Sequence, residues 1–340
     1  MLNGEMLKPG VFITFDAECS IGGARGNPGL KPVGPARAMM GRYDGRELGI
    51  PLITDILSQH QLTATFFLEV FGDELGYPGE TEKVCHYLMD RKQDIQLHIH
   101  PGYKEYGQKR KGMLWPRTDI IANLPEEYQS LLIAEGSERL RLWTGKRPSA
   151  FRAGGMAASE DFLHVLEKSG IRTDSSYTYP YAGKQCRFRE KKNFNGSKWY
   201  GNVLELALSG FDQPQLPGIP AAVPLDLMGI SFEECRDAII SICNSGADAV
   251  LILHSFSLFK VKNRQYEGGR LNRIVFTRFQ RLCRWLSDHA SAYPSYTFSQ
   301  LEKAVEQGQY SARETRPIRM STVKVLIRKF VQAVNNIYSL

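Results

Sequence analysis

The order of apolar segments in the sequence predicts an α/β fold built on a mostly parallel sheet. Short apolar runs typical of buried strands alternate with longer segments of helical character. The first run, VFITF at residues 11–15, is β-branched and aromatic throughout, as expected for a strand covered on both faces. The pattern fits either an open sheet or a barrel. A chain of 340 residues can form one large α/β domain or two smaller ones.

The remaining elements follow the same alternation along the chain. The predicted strands are 11–16, 63–70, 94–100, 149–155, 171–176, 203–208 and 249–255. The predicted helices lie near 49–60, 80–91, 126–144, 159–170, 232–244 and 271–288. Gly170 is expected to end the fourth of these helices, because glycine readily adopts the left-handed conformation that follows a helix.

Two segments differ from this pattern. Residues 20–46 form an unusually long loop that is rich in glycine and proline and carries five basic residues, which is typical of a functional or a disordered loop. Residues 321–340 predict a basic amphipathic helix. Its apolar face is formed by Val323, Ile327, Phe330, Val331, Val334 and Tyr338, and its polar residues elsewhere are Lys324, Arg328, Lys329 and Asn335. Such a helix can lie on an anionic membrane, but we favour packing on the domain or on a second subunit.

Composition restricts the classes of protein to which the chain can belong. Hydrophobic and charged contents of 42% and 23% are those of a soluble globular protein, and no apolar run approaches the roughly 20 residues that span a bilayer. The N-terminal residues lack the pattern of a secretory signal, which predicts a cytoplasmic location, at most peripheral at the inner membrane face. Six cysteines without a CxxC pair favour neither a disulfide framework nor a cysteine zinc site.

The net charge of +7 also has several interpretations. It could reflect binding of nucleic acid, an anionic membrane or a phosphorylated substrate. Most basic residues are dispersed along the chain, which favours a simple solvated surface. No basic helix is interleaved with aromatic residues, so we do not expect nucleic-acid binding.

Polar side chains occur at the ends of four predicted strands. They are Asp16, Glu18, His98, His100, Arg152 and His254. Functional groups of parallel α/β proteins gather at the carboxyl ends of strands, and residues two apart in a strand point to the same side. Two imidazoles and a carboxylate are a common ligand set for zinc or another divalent ion. Such an ion makes the water that it binds a nucleophile near neutral pH. The second carboxylate would then be available as a general base.

Each of these residues also has an ordinary structural interpretation when it is taken alone. A His-x-His pair at a strand end occurs by chance, and acids often cap turns. His254 lies in a strongly apolar strand and is equally well explained as a core histidine, whereas Arg152 could form a structural ion pair. The complete set favours a functional site, because every member lies at a strand end.

The order of these motifs resembles that of the NodB-type polysaccharide deacetylases, also called carbohydrate esterase family 4. The similar segments are TFDAE (14–18), ATFFLEVFG (64–72), DIQLHIHPGY (94–103), FRAGG (151–155), LEKSGIRTDSS (166–176) and LILHS (251–255). The resemblance covers roughly residues 10–300. It implies a distorted (β/α) barrel of about seven parallel strands over residues 1–312, followed by a basic amphipathic tail at 313–340.

The sequence departs from the usual motifs of this family at three points. The first motif is usually TFDD, so the metal-binding carboxylate shifts one place, to Glu18. The second motif usually spaces its histidines four apart, but Gly102 stands at that position and His100 must be the second histidine ligand. The third motif, usually R-x-P-Y, reads R-A-G-G at 152–155, so Ala153 and Gly154 follow the arginine and the usual proline and aromatic residue are absent.

The resemblance also implies an activity, the metal-dependent hydrolysis of an N-acetyl group on an amino sugar. Glu18, His98 and His100 would hold a divalent metal, with zinc expected. Asp16 would be the base, Arg152 would orient it, and His254 would be the general acid, tuned by Asp174. The substrate would be a polysaccharide, a lipid-linked glycan or a nucleotide sugar, and the basic 20–46 loop favours an anionic one.

Three alternatives remain open on the sequence alone. The same kind of barrel and metal site can cleave non-sugar amides and cyclic ureides. A glycoside hydrolase could use Asp16 and Glu18 as its paired carboxylates. A catalytically inactive barrel could bind a glycan or a partner protein, and the altered second and third motifs favour that alternative.

Overall fold

The computed structural model of the chain describes residues 5–190 and 192–337, with side chains up to residue 331. Within these residues, seven parallel strands form one curled sheet. They are β1 (Val11–Ala17), β2 (Thr65–Glu69), β3 (Asp94–Ile99), β4 (Ala150–Ala153), β5 (Thr173–Asp174), β6 (Val203–Ala207) and β7 (Ala249–His254). Their order across the sheet is β7-β1-β2-β3-β4-β5-β6. The predicted barrel of about seven parallel strands is therefore confirmed.

The barrel is distorted because β6 and β7 are not joined by a regular ladder. Instead, the backbone N–H of Ser209 donates to the carbonyl of Val250 at 3.0 Å, and the Ser209 hydroxyl accepts from the N–H of Val250 at 2.9 Å. An antiparallel strand, Asn195–Tyr200, pairs with β6 on its other side. The sheet therefore curls round with one irregular seam.

Helices cover the outside of the sheet. They are α1 (Pro35–Ala38), α2 (Ile50–Gln59), α3 (Glu80–Asp90), α4 (Pro101–Arg110), α5 (Glu126–Thr144), α6 (Glu160–Lys168), α7 (Phe232–Asn244), α8 (Arg273–Asp288), α9 (Phe298–Glu306) and α10 (Thr322–Ile337). All six helices predicted within the barrel are present. The sequence did not predict α4, whose two glycines and scarcity of aliphatic residues hide its helical period.

The two faces of each strand bury different sets of side chains, because the direction alternates along a strand. One face packs against the surrounding helices. The other points into the barrel, where Phe12, Phe67 and Val250 form a separate apolar cluster with Phe298 of α9. Helix α9 therefore closes the amino-terminal end of the barrel, while the polar residues at the carboxyl ends of the strands lie at its opposite end.

This alternation decides the position of Asp174, which we expected to tune His254. In the sheet register Asp174 lies beside Phe151 and Glu205, while the next residue, Ser175, hydrogen-bonds to the inward-facing Arg152. A one-residue step along a strand reverses the side-chain direction. The Asp174 side chain therefore faces the helices and contacts Glu205 and Ser176, and the structure does not bring it into the candidate site.

The loop at 20–46 is ordered by contacts with another loop. Its first residue, Ser20, forms an isolated bridge with Val33, and the rest of the loop includes α1 and most of a short hairpin of Arg42–Tyr43 with Arg46–Glu47. The Gln265 side chain donates to the carbonyls of Gly22 and Lys31, at 2.6 and 2.9 Å.

The chain beyond residue 312 is attached to the barrel. Strand Glu314–Thr315 extends the sheet next to Asn195–Tyr200. Arg313 forms a two-fold contact with the fully buried carboxylate of Asp248, at 2.8 and 2.9 Å. The division of the chain at residue 312 stays a prediction. No helix in the described part of the chain is long and apolar enough to cross a membrane.

The buried Asp174–Glu205 pair predicts a pH-dependent stability. Burial, followed by the charge of Asp174, raises the pKa of Glu205 well above its usual value of 4.5, so the folded protein retains a proton that the unfolded chain releases. The stability due to this proton is present below pH 4.5 and is lost as the pH rises. The amide of Glu205→Gln replaces the retained proton as donor. We therefore expect this variant to gain up to about 1.4 kcal/mol over wild type for each pH unit between that value and the raised pKa of Glu205.

Urea unfolding followed by circular dichroism at a series of pH values measures this difference. Glu127→Gln, on the exposed surface of α5, is the matched control and should show no such trend. A constant difference between Glu205→Gln and wild type across the series would contradict the retained proton.

Candidate active site

Two histidines project from the carboxyl end of β3 because the chain stays extended there. His98 is the fifth residue of the strand, and His100 immediately precedes α4 with extended dihedral angles of φ −102° and ψ 104°. Pro101 favours this conformation, since proline disfavours the helical region for the residue before it. The two imidazoles therefore lie on the same side, with ring centroids 5.1 Å apart.

Glu18 follows β1 and meets both histidines at a single oxygen. Its Oε2 lies 2.6 Å from Nε2 of His100 and 3.3 Å from Nε2 of His98. One ligand atom from each of the three residues lies within 4.8 Å of the others. The structure therefore brings together the three residues that the sequence singled out as metal ligands.

Nδ1 of each imidazole, the ring nitrogen that points away from Glu18, has a hydrogen-bond partner. Nδ1 of His98 lies 2.9 Å from the carbonyl oxygen of Arg152, and Nδ1 of His100 lies 2.9 Å from Oδ2 of Asp119. Both of these oxygens can only accept, so each Nδ1 carries a proton. In the neutral imidazoles both Nε2 lone pairs then face the Glu18 carboxylate. A divalent cation relieves this repulsion, and the residues fit one.

The charges around Glu18 and His100 favour the ionised form of both residues. Burial opposes ionisation of Glu18, but the neighbouring His100 outweighs it and lowers the pKa of Glu18 well below 4.5. Burial likewise opposes protonation of His100, but Asp119 and Glu18 together raise its pKa well above 6.5. The site therefore favours a positive charge between the two carboxylates.

Asp16 lies two residues before Glu18. Its side chain faces into the barrel and is paired with Arg152. Nη1 of Arg152 donates to Oδ1 of Asp16 at 2.7 Å and to the Thr14 hydroxyl at 2.9 Å. Its Nε and Nη2 donate to the carbonyl and hydroxyl oxygens of Ser175, and the guanidinium lies 4.0 Å from the centre of the Phe67 ring. Arg152 is fully buried, so these contacts fix it in one position.

His254 lies beside Asp16 at the end of β7. The two are register partners in adjacent parallel strands, so their side chains point the same way. The His254 ring stacks on Phe256, with centroids 4.8 Å apart. Its Nδ1 is buried and has no hydrogen-bond partner among the described residues. Two carboxylates, Glu18 and Asp226, interact electrostatically with His254. Burial raises the pKa of Asp226, and the charge of His254 partly offsets that rise.

Comparison with solved structures identifies this architecture. The chain is similar to a protein from Mycobacterium smegmatis that is provisionally assigned as a polysaccharide deacetylase, with a TM-score of 0.50 and 16% identity over 93% of this chain and 96% of that one. The chain has the fold of a polysaccharide deacetylase. No family model and no curated protein matches its sequence.

Two further structures show weaker similarity. A family 4 carbohydrate esterase from Streptomyces lividans has a TM-score of 0.44 and 12% identity, over 91% of this chain and 98% of that one. A peptidoglycan deacetylase from Bacillus subtilis has a TM-score of 0.40 and 14% identity, over 91% and 96%. The resemblance predicted from the motifs holds for the fold on the Mycobacterium smegmatis structure, at 16% sequence identity.

The departures from the deacetylase motifs compensate for one another in the structure. A Cβ atom added to Gly154 would lie 2.5–2.7 Å from the ring atoms of His100. Any residue with a side chain at this position, the proline of the usual motif included, would therefore displace the imidazole. Placing the second histidine two residues after the first requires a glycine at position 154, and the sequence has both changes.

Sequence reasoning missed three acidic residues around this site. Asp119 lies in the loop between α4 and α5, Asp226 follows a short strand, and Glu69 ends β2 beside His98 in the register. Burial raises the pKa of Glu69 well above its usual value. An acid flanked by the buried Leu225 and Leu227 was a usable signal for Asp226, whereas nothing near Asp119 in the sequence points to His100.

We expect Asp119→Asn to weaken zinc binding by about 10- to 100-fold, the usual effect of removing a group that orients a ligand histidine. One carboxylate oxygen accepts from Nδ1 of His100, and the other accepts from the N–H of Gly102 at 2.8 Å. Asparagine can satisfy only one of these donors and turns an N–H group towards the other.

Competition with a chromophoric zinc chelator measures this affinity. Asp161→Asn is the matched control, since Asp161 is exposed on α6 and pairs only with Arg189 among the described residues. Equal affinities for Asp119→Asn and the control would show that Asp119 does not orient the ligand.

Proposed function

We propose that this protein is a metal-dependent hydrolase that removes the N-acetyl group of an amino sugar. The observation that carries the proposal is the arrangement of His98 and His100. Both Nε2 atoms converge on Oε2 of Glu18, and both Nδ1 atoms have hydrogen-bond partners that orient the rings. The deacetylase fold supports the same chemistry. Zinc is the metal we expect, because two imidazoles and one carboxylate with open positions are typical of catalytic zinc.

The residues around the metal centre supply the proton transfers. A cation held there polarises the amide carbonyl and lowers the pKa of water. Asp16 accepts a proton as water oxygen bonds to the carbonyl carbon, and Arg152 fixes the orientation of Asp16. His254, in register beside Asp16, donates a proton to the nitrogen as the C–N bond breaks. The products are acetate and the free amino sugar.

The basic loop at 20–46 supports an anionic substrate, such as a nucleotide- or lipid-linked sugar. Arg25 pairs with Glu105 and Arg42 pairs with Glu47, at 2.9 and 2.8 Å. No ion pair involves the other three basic residues of the loop within the described part of the chain; they are Lys31, Arg37 and Arg46. These cations are available to a negatively charged group on the substrate.

The glycoside hydrolase alternative is less well supported. A paired-carboxylate mechanism needs one acid whose raised pKa keeps it protonated. His100 instead lowers the pKa of Glu18, and Asp16 is paired with a buried guanidinium. Neither carboxylate has the environment of a general acid.

Acetate release from N-acetylated amino sugars, with and without added zinc, tests the proposed function. We expect Asp16→Asn to lower turnover by about 10²- to 10⁴-fold, the usual contribution of a general base. The variant should retain zinc, since Asp16 contacts neither His98 nor His100 in the described structure.

Asp174→Asn is the matched control, because its side chain lies on the opposite face of the same sheet. It should retain near-normal turnover if the protein is folded, as judged by circular dichroism. Equal losses in Asp16→Asn and Asp174→Asn would contradict the assigned roles. A zinc-loaded wild type that releases no acetate from any tested sugar, polymer or nucleotide sugar would contradict the proposed function.

A further inference from the structure

Helix α10 contacts the barrel through its charged residues. Arg328 is buried; its Nη1 donates to the carbonyl of Gly229 at 2.7 Å, its Nη2 donates to Gln213, and its Nε lies 3.5 Å from Glu234 of α7. Lys324 pairs with Asp237, also on α7. Val325 is the one fully buried apolar residue among the described side chains of this helix.

The apolar face of α10 is consequently turned towards solvent. The exposed fractions are 64% for Val323, 49% for Leu326, 58% for Ile327, 72% for Phe330 and 41% for Val331. At about 100° per residue these five side chains span an arc of roughly 140°. Other exposed large apolar residues of the described chain are scattered one or two at a time, whereas this helix has five on three turns.

A surface helix ordinarily buries its apolar face and exposes its charges, so the orientation of α10 calls for an apolar partner. A groove of about 680 Å³ adjoins the arc, between α7, α8 and α10, and Phe232 and Ile274 line it together with Ile327 and Val331. The sequence extends the apolar stripe to Val334 and Tyr338, which, like Asn335, lie outside the described side chains.

The charge around this face indicates which partner it fits. Residues 315–340 contain five basic residues and no acidic one. Arg319, just before α10, and Lys329 on it have no ion pair within the described part of the chain, whereas Arg316 lines a separate groove with Phe194 and Lys198. Cations on and just before the helix that carries the exposed apolar arc suit anionic lipid, because each cation near the surface adds electrostatic attraction. A second copy of the chain would instead bring two basic segments together.

We propose that α10 is a membrane-docking helix that inserts Phe330 and its apolar neighbours into an anionic lipid surface. Helix α10 is attached to the segment of chain that follows Asp226. Arg328 anchors the helix to Gly229, three residues after Asp226, which interacts with His254. The docking itself does not depend on the proposed deacetylase activity.

Co-sedimentation of the full chain with vesicles tests the proposal. Vesicles of phosphatidylcholine with phosphatidylglycerol should bind the protein, those of phosphatidylcholine alone should bind it more weakly, and added salt should release it. We expect Phe330→Glu to lower the vesicle affinity about tenfold or more, since it removes the aromatic group that inserts into the lipid and adds a negative charge. Zinc content should be unchanged, which separates this result from the proposed activity.

Leu142→Glu is the matched control, because Leu142 is 66% exposed on α5, comparable with Phe330 on α10. It should bind vesicles as wild type does. Absence of binding to anionic vesicles, or equal binding by Phe330→Glu and wild type, would overturn the proposal. So would a dimer in sedimentation velocity that Phe330→Glu dissociates, because that result would assign the apolar face to a second copy.

Discussion

The buried guanidinium of Arg152 is the group on which the rest of the site depends. The N–H groups of the guanidinium donate to Asp16, Thr14 and Ser175. The backbone carbonyl oxygen of Arg152 accepts from Nδ1 of His98. An unpaired charge in this low-dielectric interior would be strongly destabilising. The pairing therefore allows a carboxylate of β1 and a cation of β4 to be buried together next to the imidazole of β3, and it fixes the proposed base relative to the proposed metal ligands.

The second histidine shows how the site tolerates an unusual motif. His100 stands two residues after His98, so it needs an extended chain, space for its ring and a partner for Nδ1. Pro101 favours the extended conformation, Gly154 leaves the space, and Asp119 supplies the acceptor. None of these three features is a ligand, yet the position of a ligand depends on each of them. These three residues are far apart or unrelated along the chain, but in the structure they act together on His100.

Much of this arrangement could be predicted from the sequence. The strands are apolar and short, so their alternation with helices predicted the parallel sheet, and the two-residue period predicted that each polar pair converges. The same period predicts an outward direction for Asp174 only once its register is known, because its strand has just two residues. Asp119 and Asp226 reach the site through tertiary contacts that no local pattern encodes. The orientation of α10 depended on the burial of Arg328, whereas periodicity alone assigns the apolar stripe to the interior.

The metal content of the purified protein tests the central claim most directly. It should be measured by mass spectrometry after incubation with zinc and removal of excess metal, for wild type and for the His98→Ala/His100→Ala double variant. The account predicts about one equivalent of metal in wild type and none in a double variant that remains folded by circular dichroism, since the three ligands converge on one point. Wild type without metal, or a double variant that retains it, would contradict the account.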